Sequence, residues 1–91
     1  MDNNHLVTVE FYGIPRQRAG QAELTVVART VGDMLAAVRH ACPGLGDLVS
    51  STGRISPYLR ISLDGQRFLE NSGEKLAPGD RILILSADAG G

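Results

Sequence analysis

The stretch that constrains this chain most is Ile82-Leu83-Ile84-Leu85, four apolar residues in a row that run on through Ser86-Ala87-Asp88-Ala89 to Gly90-Gly91. A run apolar on both faces fits a central sheet strand, covered on one side by the domain's own helix and carrying apolar surface on the other. Arg81 shares a face with Leu83 and Leu85. A charged side chain belongs on the solvent side, so Ile82 and Ile84 are expected to point inward and Leu83 and Leu85 outward. No large side chain follows Leu85, and the last residues can lie extended in a channel too narrow for a Cβ. Such an end suits a terminus that is itself the reactant. Composition alone puts Gly-Gly at the end of about one chain in two hundred, but here the pair follows directly on the most hydrophobic strand.

The rest of the chain reads as scaffold for that strand. Val7, Val9 and Phe11 alternate with Thr8, Glu10 and Tyr12, which predicts a half-buried strand over 5–12. Gly13-Ile14-Pro15 breaks it and Ala19-Gly20 closes the connection. Leu24, Val26 and Ala28 then alternate with Glu23, Thr25 and Val27, a second strand expected to pair antiparallel with the first as a hairpin. Thr30 can cap a helix with Asp33 near its positive end, and Val31, Met34, Leu35, Val38 and Cys42 form its apolar stripe until Pro43-Gly44 stops it. Leu45, Leu48 and Val49 suggest a short helical turn, and Ser50-Ser51-Thr52-Gly53 an exposed loop. Leu59, Ile61 and Leu63 predict a strand, Asp64-Gly65 a tight hairpin, and Arg67-Phe68-Leu69 its return. Leu76 is expected to plug the core before Pro78-Gly79-Asp80 turns into the last strand.

Ninety-one residues with nine basic and ten acidic side chains make one domain of near-neutral charge. Neither a nucleic-acid footprint nor a membrane-surface patch is implied. No apolar run reaches the roughly twenty residues of a membrane span, and Met1-Asp2-Asn3-Asn4-His5 is no export signal, so a cytoplasmic protein is expected. The single cysteine, Cys42, excludes a disulfide framework and reads as a core thiol. His40 has no second ligand at metal spacing, and the histidines, cysteine and carboxylates form no catalytic pairing, so neither a metal site nor a standalone enzyme is expected.

The element order is that of an α+β roll, a mixed sheet of four to five strands with one main helix on one face. Its first and last strands would be neighbours in the middle. The outer face would carry Tyr12, Leu83 and Leu85, and an apolar patch of that kind marks an interface. The domain is expected to span 1–85, with 86–91 as a tail.

Read end to end, the chain resembles the ubiquitin-like β-grasp sulfur carriers, which include the small subunit of molybdopterin synthase and the carrier of thiazole biosynthesis. The resemblance is carried by Phe11-Tyr12-Gly13-Ile14-Pro15-Arg16-Gln17-Arg18-Ala19-Gly20, by Thr30-Val31-Gly32-Asp33-Met34-Leu35, by Pro43-Gly44-Leu45, by Leu76-Ala77-Pro78-Gly79-Asp80 and by the terminal Gly90-Gly91. It implies a ubiquitin-like β-grasp roll and a non-catalytic carrier. An adenylyltransferase of the ubiquitin-activating kind would use ATP to activate the Gly91 carboxylate, and a sulfur donor protein would convert it to a thiocarboxylate. Gly90 lets the backbone thread, while Leu83, Leu85, Tyr12, Asp88 and Ala89 meet the partners, including an acceptor such as a molybdopterin synthase large subunit. No bound cofactor, nucleic acid or membrane is implied. The length of the chain and the segment from Pro43 to Pro57 resemble the molybdopterin type, whereas Ser86-Ala87-Asp88-Ala89 stands where that branch often has a Pro-Pro pair and a valine. A protein modifier, or a donor for thiamine, cysteine or another sulfur metabolite, stays open beside it.

Overall fold

The computed structural model describes residues 5–49 and 54–87. Its elements in order are β1 (Leu6–Phe11), α1 (Gly13–Ala19), β2 (Glu23–Val27), α2 (Val31–Ala41), a 3₁₀ segment (Pro43–Leu48), β3 (Leu59–Leu63), β4 (Arg67–Phe68) and β5 (Arg81–Ser86). The strands form one sheet in the order β2-β1-β5-β3-β4. β1 and β5 pair in parallel, with Val9 beside Ile82 and Phe11 beside Ile84, and every other pairing is antiparallel. The last strand is therefore central, hydrogen-bonded on both sides.

Local chemistry accounts for the elements. Thr30, extended at φ −135°, caps α2 by accepting the Asp33 N–H at 3.1 Å, and the Asp33 carboxylate accepts the Arg29 N–H at 3.2 Å. Arg39 and His40 occupy the last turn of α2, where positive charge is favoured. Val31, Met34, Leu35 and Val38 are buried against the inner side chains of the sheet, Val7, Val9, Phe11, Ile61, Ile82 and Ile84. Leu76 and Leu69 close the core from the segments between strands. The β3–β4 connection is the tight hairpin that Asp64-Gly65 predicts: both residues have positive φ, 54° and 74°, as a type I′ turn requires. Between β4 and β5, the Glu74 carboxylate accepts from Arg67 and from the N–H groups of Glu70 and Asn71. These bonds, the one from Arg67 foremost, hold its pKa below the ordinary carboxylate value.

One element departs from the sequence expectation. The stretch read as a broken connection is a seven-residue helix, α1, so β1 and β2 are antiparallel but not joined by a tight hairpin. Pro15 sits in its first turn, where a backbone N–H has no partner to lose, and Gly20 ends it at φ 76°, its N–H donating to the Arg16 carbonyl at 3.0 Å. The breakers frame a helix instead of preventing one. The loop expected at Ser50-Ser51-Thr52-Gly53 lies outside the described residues.

α1 packs directly on the 3₁₀ segment. A Cβ on Gly44 would stand 2.3 Å from the Arg18 carbonyl oxygen, a contact no side chain makes. Gly44→Ala is accordingly expected to push the two segments apart and to lower stability by about 1–3 kcal/mol in denaturant unfolding; an unchanged midpoint would show that the contact is not needed.

Candidate functional site

β5 divides its side chains as the pattern requires. Ile82 and Ile84 are fully buried, while Leu83 and Leu85 lie on the sheet face opposite α2. They are half-buried there, not fully exposed. The register sets Leu83 between Glu10 and Ser62 and Leu85 beside Arg60, so each leucine has a longer, charged neighbour on one side. Tyr12, 41% exposed, stands on the same side, its hydroxyl donating to Glu10 Oε1 at 2.5 Å, and the other oxygen of that carboxylate pairs with Arg81. On the opposite flank the Arg60 guanidinium lies over the Phe68 ring, 5.2 Å from its centroid, with Phe68 51% exposed. The face is a leucine pair between two aromatic side chains, each oriented by a charged group.

Glu10, Arg60 and Phe68 are members of this face that the sequence reading did not single out. Strand alternation assigns each residue a face but not its neighbours. Only the parallel register of β1 on β5 brings Glu10 to Arg81, residues 71 apart in the chain.

Beyond Leu85 the chain is sewn to its surroundings for two more residues. Ser86 pairs with Leu59, and the Ala87 N–H donates to the Tyr58 carbonyl at 2.9 Å. Tyr58 is held in turn by its own N–H, which donates to the Ser56 hydroxyl at 3.1 Å. The direction in which the chain leaves the sheet is thus fixed by backbone bonds as far as Ala87. Asp88, Ala89, Gly90 and Gly91, all expected at the functional end, lie outside the described residues.

Of the other chemically able groups, Cys42 and His5 have structural partners. Cys42 is 2% exposed and receives the Gln21 amide at 3.4 Å. The His5 Nε2–H donates to the Leu76 carbonyl at 2.8 Å. His40 is exposed on α2. Among the described residues no three His, Cys, Asp or Glu side chains come together as a metal site would need, and no helix is long and apolar enough to cross a membrane.

This architecture is the ubiquitin-like β-grasp. No protein-family model and no curated protein matches the chain. Among solved structures it is similar to SAMP1 from Haloferax volcanii, at 24% identity and a TM-score of 0.80 over 94% of this chain and 99% of that one. The small archaeal modifier protein 1 of Methanosarcina acetivorans gives 27% identity and a TM-score of 0.76 over 94% and 96%. A chain of the Amycolatopsis orientalis BexX/CysO complex gives 20% and 0.76 over 93% and 99%. The fold that the sequence resemblance implies is thus the fold these neighbours share with the chain.

The two sides of β5 differ sharply in what they tolerate. Ile84→Asp, which buries a charge in the core, is expected to abolish cooperative unfolding, while Leu85→Asp is expected to cost only about 1 kcal/mol. Thermal melts of the two variants check the assignment, and an unfolded Leu85→Asp would invert it.

Proposed function

We propose that the chain is a ubiquitin-like sulfur carrier whose Gly91 carboxylate is adenylated by a partner enzyme and converted to a thiocarboxylate. The observation that carries this reading is the path of β5, a central strand held on both sides and tied to Tyr58 as far as Ala87, which delivers a small-residue tail ending in Gly90-Gly91. A carboxylate is a poor acyl donor because its oxygen is a poor leaving group. Adenylation makes AMP the leaving group, and the thiocarboxylate sulfur that replaces it is a nucleophile at neutral pH. The activating enzyme supplies ATP and catalysis, a sulfur donor protein supplies the sulfide-level sulfur that displaces AMP, and this chain supplies the carboxylate and the surface that presents it. The chemistry requires that carboxylate to be free, whether as the chain's own end or after cleavage behind Gly91.

Leu83 and Leu85 dock the activating enzyme and then the acceptor, with Tyr12 beside them. Asp88 and Ala89 meet the walls of the channel that Gly90 threads. Within this class the reading is of the molybdopterin type, supported by the length of the chain and by the segment from Pro43 to Pro57. A protein modifier, joined to lysines through the same adenylate, is the second reading, favoured by the likeness to two small archaeal modifier proteins.

Intact mass of the protein from its native cells separates them. Sulfur replacing one terminal oxygen supports the carrier, attachment to other proteins supports the modifier, and an unmodified chain that its organism's activating enzyme does not adenylate refutes both. Gly90→Val, or deletion of Gly91, is expected to abolish adenylation without unfolding the domain. Leu85→Asp is expected to weaken binding of the activating enzyme by more than about tenfold, the equivalent of one leucine's burial.

Cys42 takes no part in this chemistry. Packed with Met34, Leu35 and Val38, it behaves as a small hydrophobe. Cys42→Ala is expected to cost about 1 kcal/mol of stability and to leave sulfur loading at its normal rate; a folded variant that cannot be loaded would make the thiol a reactive group.

A further inference from the structure

The chain leaves the sheet beside a second apolar feature, distinct from the Leu83/Leu85 face. Ile14 on α1 is 50% exposed and Tyr58 65% exposed, and both line a cleft of about 190 Å³ whose walls include Leu48, Leu59, Ser86 and Ala87. Two large apolar side chains held this far into water at one concave surface make a patch of the kind that interfaces cover.

The surroundings of the cleft are basic. Arg18 lines the cleft itself. Arg39 and Arg54 line an adjoining hollow that shares Pro57 and Tyr58, and Arg60 lines another that shares Pro57, Leu59 and Ala87. Across these hollows the described carboxylates are Asp47 and Glu70. The Arg67–Glu74 and Arg81–Glu10 pairs lie elsewhere and neutralise none of the four guanidiniums. In a chain whose formal net charge is −1, this excess of positive charge is local to the end of the sheet where β5 finishes.

We propose that this cleft is a second docking site, for an acidic segment with an apolar anchor on the protein that takes up the chain's terminus. The anchor fills the space between Ile14 and Tyr58, and the carboxylates beside it face Arg18 and Arg54. This rests on the reading that a partner receives the terminus, and it adds what that partner's rim must look like. The charge complementarity would act on encounter and register, bringing the partner to the end of the sheet where the tail begins, while the Leu83/Leu85 face supplies separate apolar contact.

Two measurements on the full chain test it. In an NMR titration with a synthetic peptide of two leucines flanked by glutamates, the amides of Ile14, Arg18 and Tyr58 are expected to shift, and Arg18→Glu with Arg54→Glu to remove the shifts while leaving the rest of the spectrum native. Absent shifts, or stronger binding of a single-stranded oligonucleotide at the same residues, would overturn the proposal. In adenylation by the organism's own activating enzyme, the double variant is expected to need about tenfold more carrier for half-maximal rate and to lose the salt dependence of the wild type. Wild-type behaviour of a folded double variant, alongside an impaired Leu85→Asp, would show that the leucine face is used and the cleft is not. If the wild type is not adenylated at all, the carrier reading fails, and the peptide titration alone decides the cleft.

Discussion

The parallel pairing of β1 with β5 is the interaction on which the rest of this structure depends. It joins residues 8–11 to residues 81–84, nearly the full length of the chain, so forming it means closing almost the longest loop the chain can make. Parallel neighbours need a long crossover, and here the crossover is most of the domain. Its reward is the centre of the core: Val7, Val9 and Phe11 on one strand and Ile82 and Ile84 on the other are all 1% exposed or less. Each such side chain contributes about 1.5–3 kcal/mol on burial. Strand β5 cannot detach without opening that core, which is why the chain beyond it starts from a fixed point.

That pairing also explains which parts of the fold were legible in the sequence. The apolar run at Ile82–Leu85 announces a central strand because such a strand has one face under a helix and keeps apolar groups on the other. The α2 stripe, its Thr30 cap and the Asp64-Gly65 turn were readable because each depends on residues within a few positions of one another. α1 was not read, although its punctuation is in the sequence: a proline just inside the start and a glycine just past the end mark a helix as well as a break. Seven residues give too little periodicity to decide between them, and packing of Pro15 into the domain decides it instead.

The outer face was legible as a direction but not as a surface. Alternation placed Arg81 with Leu83 and Leu85, yet nothing local indicates that Glu10 would lie between Arg81 and Tyr12, or that Arg60 would cover Phe68. Those ties matter physically. An exposed aromatic ring fixed by a hydrogen bond or a stacked cation loses less freedom when a partner covers it, so less of the contact energy is spent on ordering. The expectation of freely exposed leucines gives way to a flatter arrangement, in which half-buried leucines lie between held aromatic groups.

A domain of this size has little room to enclose a reaction, and among its described residues no three His, Cys, Asp or Glu side chains gather as a metal site would need. What it does have is a chain end whose origin is rigid and whose two surroundings differ in chemistry. On the outer face the exposed groups are the Tyr12 and Phe68 rings, and the charges beside them are engaged, Glu10 with Arg81 and Arg60 with the Phe68 ring. At the exit Arg18 lines the apolar cleft and Arg39 and Arg54 line the hollow beside it, and neither the Arg67–Glu74 nor the Arg81–Glu10 pair involves them. A partner that binds the face alone could turn about it, because apolar contact is non-directional. One that also meets the charged exit is held at two places along the course of β5, and two places restrain an orientation that one leaves free. For the proposed carrier, the fold would then set where the tail begins, leaving to Asp88, Ala89 and Gly90 only the contacts of the channel itself.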